Sequence, residues 1–440
     1  MRRMVIFLFW LLPLLIFLVM GETGVGISPF VVALVLLLLF FLADAFLGRG
    51  RRANQRLERA EPQASLSDEQ LRTLAQELQP ILATKGWKAI GDVAQFDGVL
   101  RLNPPEALQH INQTIAPARL QGFLTEGEHG HARVTLVPVD RVSLPAKAPN
   151  WGVHVILFLL TFVTTTWAGA LHQGVNLLDQ PSRFAAGLPY SVGLLLILGG
   201  HEFGHYFAAR RHRIQVTPPY FIPAPFALGT FGAFINLRGR VPDRRALFDV
   251  AVAGPLAGLV FAIPALLVGL RHSRVIVEQA GSVWTQAGVE IGSSFLMAIL
   301  SKWALGPAAA EGHALLLHPL AFAGWLGLLL TALNLLPIGQ LDGGHLAHAL
   351  FGSRQSHTIS VVALFALFAL ALFVWPGLMM WAFIVYFLAG TRDAPAANDL
   401  TPLDPFREVV GCFAFALLAL ILVPVPPGLY GTFGLHSPYV

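Results

Sequence analysis

The chain has one cysteine among 440 residues, Cys412, which excludes an intrachain disulfide and any cysteine-ligated metal cluster. Charged residues are also scarce, at 12% against about 25% in a soluble domain, so a freely soluble globular protein is excluded. Basic stripes interleaved with aromatics are missing, and with them the signature of a nucleic-acid surface, despite a net charge of +4. No fixed-period repeat is present. Cys412 lies in an apolar stretch and reads as an inert core thiol.

What is abundant is apolar sequence. Hydrophobic residues make up 55% of the chain, and its mean hydropathy is +0.64. Apolar windows of roughly 20 residues recur along most of the length, enough to span a bilayer core of about 30 Å. The expected fold class is therefore an all-α polytopic membrane protein, a multi-span helical bundle. It carries a small cytoplasmic α+β domain and a membrane-associated β-hairpin loop.

Four parts follow from the composition. Residues 1–48 read as an N-terminal transmembrane hairpin of two helices, 4–20 and 29–47. The first is a retained helix rather than a signal peptide, since no small-x-small cleavage pattern follows it. Residues 49–148 switch abruptly to polar sequence and form the α+β domain. In it, "LSDEQLRTLAQELQPILATKGWK" reads as one helix capped by Ser67, and "AQFDGVLRL" as a hairpin turning at Asp97-Gly98. "PPEALQHINQTI" reads as a second helix, and "RLQGFLTEGEHGHARVTLVPV" as a strand pair. Residues 149–392 form the multi-span core and 393–440 a C-terminal segment with a final span. Spans are expected at 152–172, 186–209, 246–270, 319–337, 358–374, 376–390 and 407–424, with Pro376 dividing two of them. Residues 287–305, which contain Glu290 and Lys302, read as an interfacial amphipathic helix.

Arg2 and Arg3, the arginines at 49–52, those at 210–213 and those at 238–245 alternate onto one side. The positive-inside rule makes that side cytoplasmic, with the α+β domain on it. A bacterial inner membrane is the expected location, with the C-terminal end of the 186–209 span toward the cytoplasm.

Into this apolar setting the chain places "HEFGH" at 201–205. A charged group at membrane depth costs a few kcal/mol and belongs beside a partner or a cavity. Residues i and i+4 share a helix face, so His201 and His205 can hold one metal ion, with Glu202 beside them as base toward a bound water. Zinc hydrolases use this arrangement. A chance H-E-x-x-H in such a composition has a probability on the order of a few per cent, and lipid penalises unpaired polar groups. A catalytic zinc needs a third protein ligand. Asp342 is the candidate, at the end of another apolar helix in a run broken by Pro337, Gly339, Gly343 and Gly344.

"HEFGH" followed by "NLLPIGQLDGG" resembles the site-2 protease family of intramembrane zinc metalloproteases. Its second motif is matched at Asn334, Pro337, Leu341, Asp342 and Gly343, and the chain is most similar to the cyanobacterial and chloroplast branch. The resemblance covers about residues 150 to 392 and includes no PDZ insert. It implies one zinc per chain on His201, His205 and Asp342, with Glu202 as catalytic base. Asn334 is implied to hold the substrate backbone or the tetrahedral oxyanion; an interhelical hydrogen bond is its bland alternative. The implied activity is regulated intramembrane proteolysis of single-span membrane proteins in the lipid bilayer, often after an upstream protease has trimmed them.

The segment from Thr217 to Asp243 contains five prolines and cannot be a spanning helix. Its glycine, aromatic and β-branched alternation suggests a hairpin dipping beside the active site, against the alternative of a solvated loop. "AGPLAG" at 253–258 reads as a close helix contact without a catalytic part. His345 and His348 read as surface histidines at a helix start, and His318 as a helix-entry residue. His129 and His131 sit in an expected turn and need no metal. Two competing readings are an ion-coordinating transporter, which requires duplicated halves with paired broken helices, and a catalytically inactive binding relative.

Overall fold

Ser67 opens the first element: its hydroxyl accepts from the Gln70 amide, and the Gln70 side chain reaches back to the Ser67 amide. The computed structural model describes residues 67–127, 130–142, 149–225, 228–277, 294–306, 313–373, 378–391, 395–423 and 425. The two helices expected in 1–48, His129, Glu290 and Pro376 lie outside the described residues.

In the α+β domain, helix α1 (Asp68–Leu78) precedes strands β1 (Leu82–Ile90) and β2 (Val93–Leu100). Helix α2 (Pro104–Ile115) and strands β3 (Leu120–Glu126) and β4 (Ala132–Pro138) follow. The strands form one antiparallel sheet in the order β1-β2-β4-β3. Leu71, Leu78 and Ile111 from the helices bury against Phe96, Leu124, Val134 and Leu136 of the sheet.

Two expectations fail here. The first helix stops at Leu78, and the residues from Leu82 onward form β1, because Pro80 cannot continue a helix and the strand completes the sheet. The hairpin turns at Gly91-Asp92, between the paired residues Ile90 and Val93, with Gly91 at φ 64°. Asp97 instead lies mid-strand, where its register partner on β4 is Arg133, and the pair is joined at 2.7 Å. A cross-strand charge partner makes the aspartate acceptable there.

Among the described residues beyond Asn150, five helices are long and apolar enough to cross a membrane. They are α3 (Trp151–Leu171), α4 (Leu188–Arg211, entered through a 3-10 turn from Pro181), α5 (Arg244–Arg271), α8 (Asp342–Phe373) and α10 (Pro405–Leu422). Helices α6 (Phe295–Leu305), α7 (Pro319–Leu335) and α9 (Leu378–Leu388) are shorter. His318 is the N-cap of α7, as a helix-entry residue should be. The span expected at 358–374 is the second half of α8, which starts sixteen residues earlier than expected, at Asp342, and bends at Gly352 (φ 83°). Cys412 is exposed, contrary to the core reading. On a membrane helix the apolar surface faces lipid, so an apolar neighbourhood does not imply the protein interior.

The segment from Thr217 forms a hairpin rather than an irregular loop. Strand β5 (Tyr220–Pro223) pairs antiparallel with β6 (Thr230–Phe234). A second pair, β7 (Arg274–Val277) with β8 (His313–Leu316), follows α5.

Candidate metal centre

Helix α4 carries His201, Glu202 and His205 near its C-terminal end, and all three are buried. The third group arrives by a chain reversal. Helix α7 ends at Leu335, Pro337 prevents its continuation, and Gly339 takes φ 50°. The chain then turns into α8, whose first residue is Asp342. The aspartate therefore begins a helix instead of ending one, a position where the helix dipole favours its charge.

The three donor atoms form a tight triangle. Nε2 of His201 and Nε2 of His205 are 3.1 Å apart, and Oδ2 of Asp342 lies 3.2 and 3.3 Å from them. Ligands at about 2.0–2.1 Å around a tetrahedral zinc are separated by roughly 3.3 Å, so the set fits such an ion. Val250 adds support: its carbonyl, on α5, receives Nδ1–H of His205 at 2.7 Å. That bond leaves the lone pair of Nε2 free to coordinate, the orientation expected of a ligating histidine. Among the described residues this is the one cluster of three such donors.

Two contacts were not legible in the sequence. A Cβ built on Gly254 would fall 2.1 Å from Nε2 of His205, and one on Gly258 3.4 Å from Nδ1 of His201. "AGPLAG" does pack helices closely, as expected, but the surface it packs against is the metal-facing edge of α4. The second contact is at Glu202, whose carboxylate lies near the backbone N–H of Ile235, one residue beyond β6.

Three bonds hold the hairpin beside α3 and α4. His154 donates Nδ1–H to the Pro219 carbonyl at 3.0 Å, Thr164 donates to the Gly229 carbonyl at 2.6 Å, and Tyr190 to the Leu228 carbonyl at 2.9 Å. Asn334, in the last turn of α7, places Nδ2 3.4 Å from Nε2 of His201. His348 is completely buried rather than superficial, paired with Asp399. His131 stands 3.0 Å from Nζ of Lys85 in the α+β domain and takes no part in the cluster.

Residues 189–374 match the Peptidase family M50. "Probable zinc metalloprotease EGY1, chloroplastic" of Arabidopsis thaliana is 31% identical over 318 residues, covering 67% of this chain and 58% of that protein. "Probable zinc metalloprotease EGY2, chloroplastic" of the same plant is 32% identical over 308 residues, covering 69% and 54%. The corresponding protein of Oryza sativa subsp. indica is 34% identical over 346 residues, covering 75% and 62%. The chain thus spans less than two thirds of the length of these relatives. No solved structure matches it.

The relatives are chloroplast proteins of plants, which points to a chloroplast membrane and overturns the expectation of a bacterial inner membrane. Positive-inside counting orients a chain in a membrane but carries no information on which membrane. With the H-E-x-x-H histidines and the distant aspartate meeting at one point, residues 189–374 are a peptidase family M50 domain, the domain of the site-2 proteases.

Proposed function

We propose that the chain is an intramembrane zinc endopeptidase that hydrolyses a peptide bond in or near the transmembrane segment of a membrane protein. One observation carries the reading: three donor atoms 3.1–3.3 Å apart, with a buried carboxylate on the adjacent residue of the same helix. His201, His205 and Asp342 hold the zinc. When bound, zinc supplies a Lewis acid that acidifies water and polarises a carbonyl. Glu202 takes the proton of the attacking water and delivers it to the leaving amine. Asn334 holds the substrate backbone or the oxyanion. The β5–β6 hairpin offers a strand edge on which an unwound substrate pairs, since a peptide bond inside a helix is shielded by its own backbone bonds.

The same reading assigns residues 149–392 to the protease core and 49–148 to a docked α+β domain. The substrates are single-span membrane proteins, often ones that an upstream protease has already shortened. The experiment is incubation of purified protein with single-span substrates, with and without a zinc chelator. Chelator-sensitive cleavage is expected, and cleavage that survives full removal of zinc overturns the reading.

A further inference from the structure

The metal ligand Asp342 sits on a short lever. Gly352 breaks α8, so residues 342–351 form a separate segment ahead of the apolar remainder. One end of this segment is the chain reversal at 336–341. The other end is gripped by groups far away in sequence. His348 donates Nε2–H to both carboxylate oxygens of Asp399, at 2.9 and 3.0 Å, and each side chain is only 1% exposed. Next to it, the Arg244 guanidinium donates Nε–H to the Ala349 carbonyl at 2.9 Å.

Asp399 is in turn held on two sides. The Leu124 amide on β3 donates to the Ala397 carbonyl at 2.8 Å, and the Asp399 amide donates back to the Leu124 carbonyl at 2.8 Å. On the other side, Ala397 and Asn398 donate to the carbonyls of Val241 and Pro242, each at 2.9 Å. Residues 397–399 therefore lie as an added strand between β3 of the α+β domain and the residues leading into α5. Leu400 packs onto the α+β core, and the Arg240 guanidinium stands 4.2 Å from the ring centroid of Phe123. A buried ion pair is costly to desolvate and is a weak source of stability. Its use here is directional: it fixes the rotation and height of the segment that begins with Asp342.

We propose that Asp399 is a positioning residue for the metal site: held by the α+β domain, it pins His348 and through it the short helix that presents Asp342. The proposal rests on the reading of Asp342 as a zinc ligand. Outer groups that orient metal ligands typically change metal affinity by 10–100-fold when lost.

The test uses the full-length protein, with zinc affinity measured by competition with a chromophoric chelator and the visible spectrum recorded after Co²⁺ loading. Asp399→Ala and His348→Ala are expected to weaken zinc binding at least about tenfold, shift the Co²⁺ bands and lower kcat with little change in KM. The double variant should be no worse than either single. Asp399→Asn keeps an oxygen acceptor for Nε2–H and should restore the spectrum. His348→Phe with Asp399→Ala replaces the pair by apolar groups of similar volume, which buried pairs commonly tolerate, and so separates positioning from stability. It should fold with an unchanged thermal midpoint yet show the weakened affinity and altered bands. Asp97→Ala, which breaks an ion pair inside the α+β domain, should change neither. Wild-type affinity and spectrum in a folded His348→Phe/Asp399→Ala protein overturn the proposal alone. Full affinity in Asp342→Ala removes the ligand assignment, and the proposal falls with it.

Discussion

Gly254 lies so close to the imidazole of His205 that a Cβ built on it falls 2.1 Å from Nε2, the atom facing the metal position. Because His205 is also tied through Nδ1 to Val250 on the same helix, the ring cannot swing aside without breaking that bond. Gly254→Ala is expected to lower zinc affinity by at least about tenfold. The overpacking should cost about 1–3 kcal/mol of stability. Chelator competition and a thermal melt check both; unchanged zinc affinity would refute the contact.

In the proposed mechanism Glu202 is the general base, and it is not one of the three metal donors. Glu202→Gln keeps the side-chain shape and an oxygen acceptor, yet cannot take a proton. Cleavage should fall by a factor of about 10² to 10⁴ or more, with zinc content at the wild-type level. Wild-type hydrolysis in a zinc-loaded Glu202→Gln protein would end the general-base assignment.

Asp249 on α5 binds Arg407 of α10 through Nε and Nη2, at 2.7 and 2.6 Å, and His212 beyond the end of α4 at 2.8 Å. Three chain segments meet at one carboxylate that is 24% exposed. Partial solvent screening limits its worth, so a double-mutant cycle of Asp249→Asn with Arg407→Met should give a coupling of about 1 kcal/mol in thermal stability. A coupling indistinguishable from zero would mean that the network holds nothing together.

The hairpin can be displaced without touching the metal donors. Gly229 has φ 78°, and a Cβ there would fall 2.5 Å from Cα of Thr165. Gly229→Ala should raise KM for a membrane substrate several-fold, with zinc affinity unchanged, if β5–β6 receives the substrate strand. Thr164→Val, which removes one bond to the same loop, should do so more weakly. A pure kcat effect in both variants would count against substrate pairing.

Because residues 397–399 bond to β3, the α+β domain and the Gly352 end of the Asp342 segment must share one face of the membrane. Cysteines at Ser67 and Ser353, in a Cys412→Ser background, should react with an impermeant thiol reagent from the same side. Labelling from opposite sides would contradict the docked domain.

Local sequence determined much of this protein. The apolar windows located α3, α5 and α10 within a few residues at their N-terminal ends, because Asn150, Asp243 and Asp404 precede apolar runs and cap them. His201 and His205 were readable as a pair because helical spacing alone places i and i+4 on one face. Pro337 and Gly339 marked the break that brings Asp342 round, although not that the aspartate begins the next helix. Only the tertiary structure decided the rest. Whether Asp97-Gly98 turns or pairs depended on Arg133, 36 residues later in the chain. Whether Cys412 faces protein or lipid cannot be read from hydropathy, since both surroundings are apolar. His348 looked superficial because its partner Asp399 is 51 residues away, in a segment bonded to the α+β domain. Periodicity and capping are properties of neighbouring residues. The surroundings of a buried polar side chain are set by long-range packing, which no local pattern encodes.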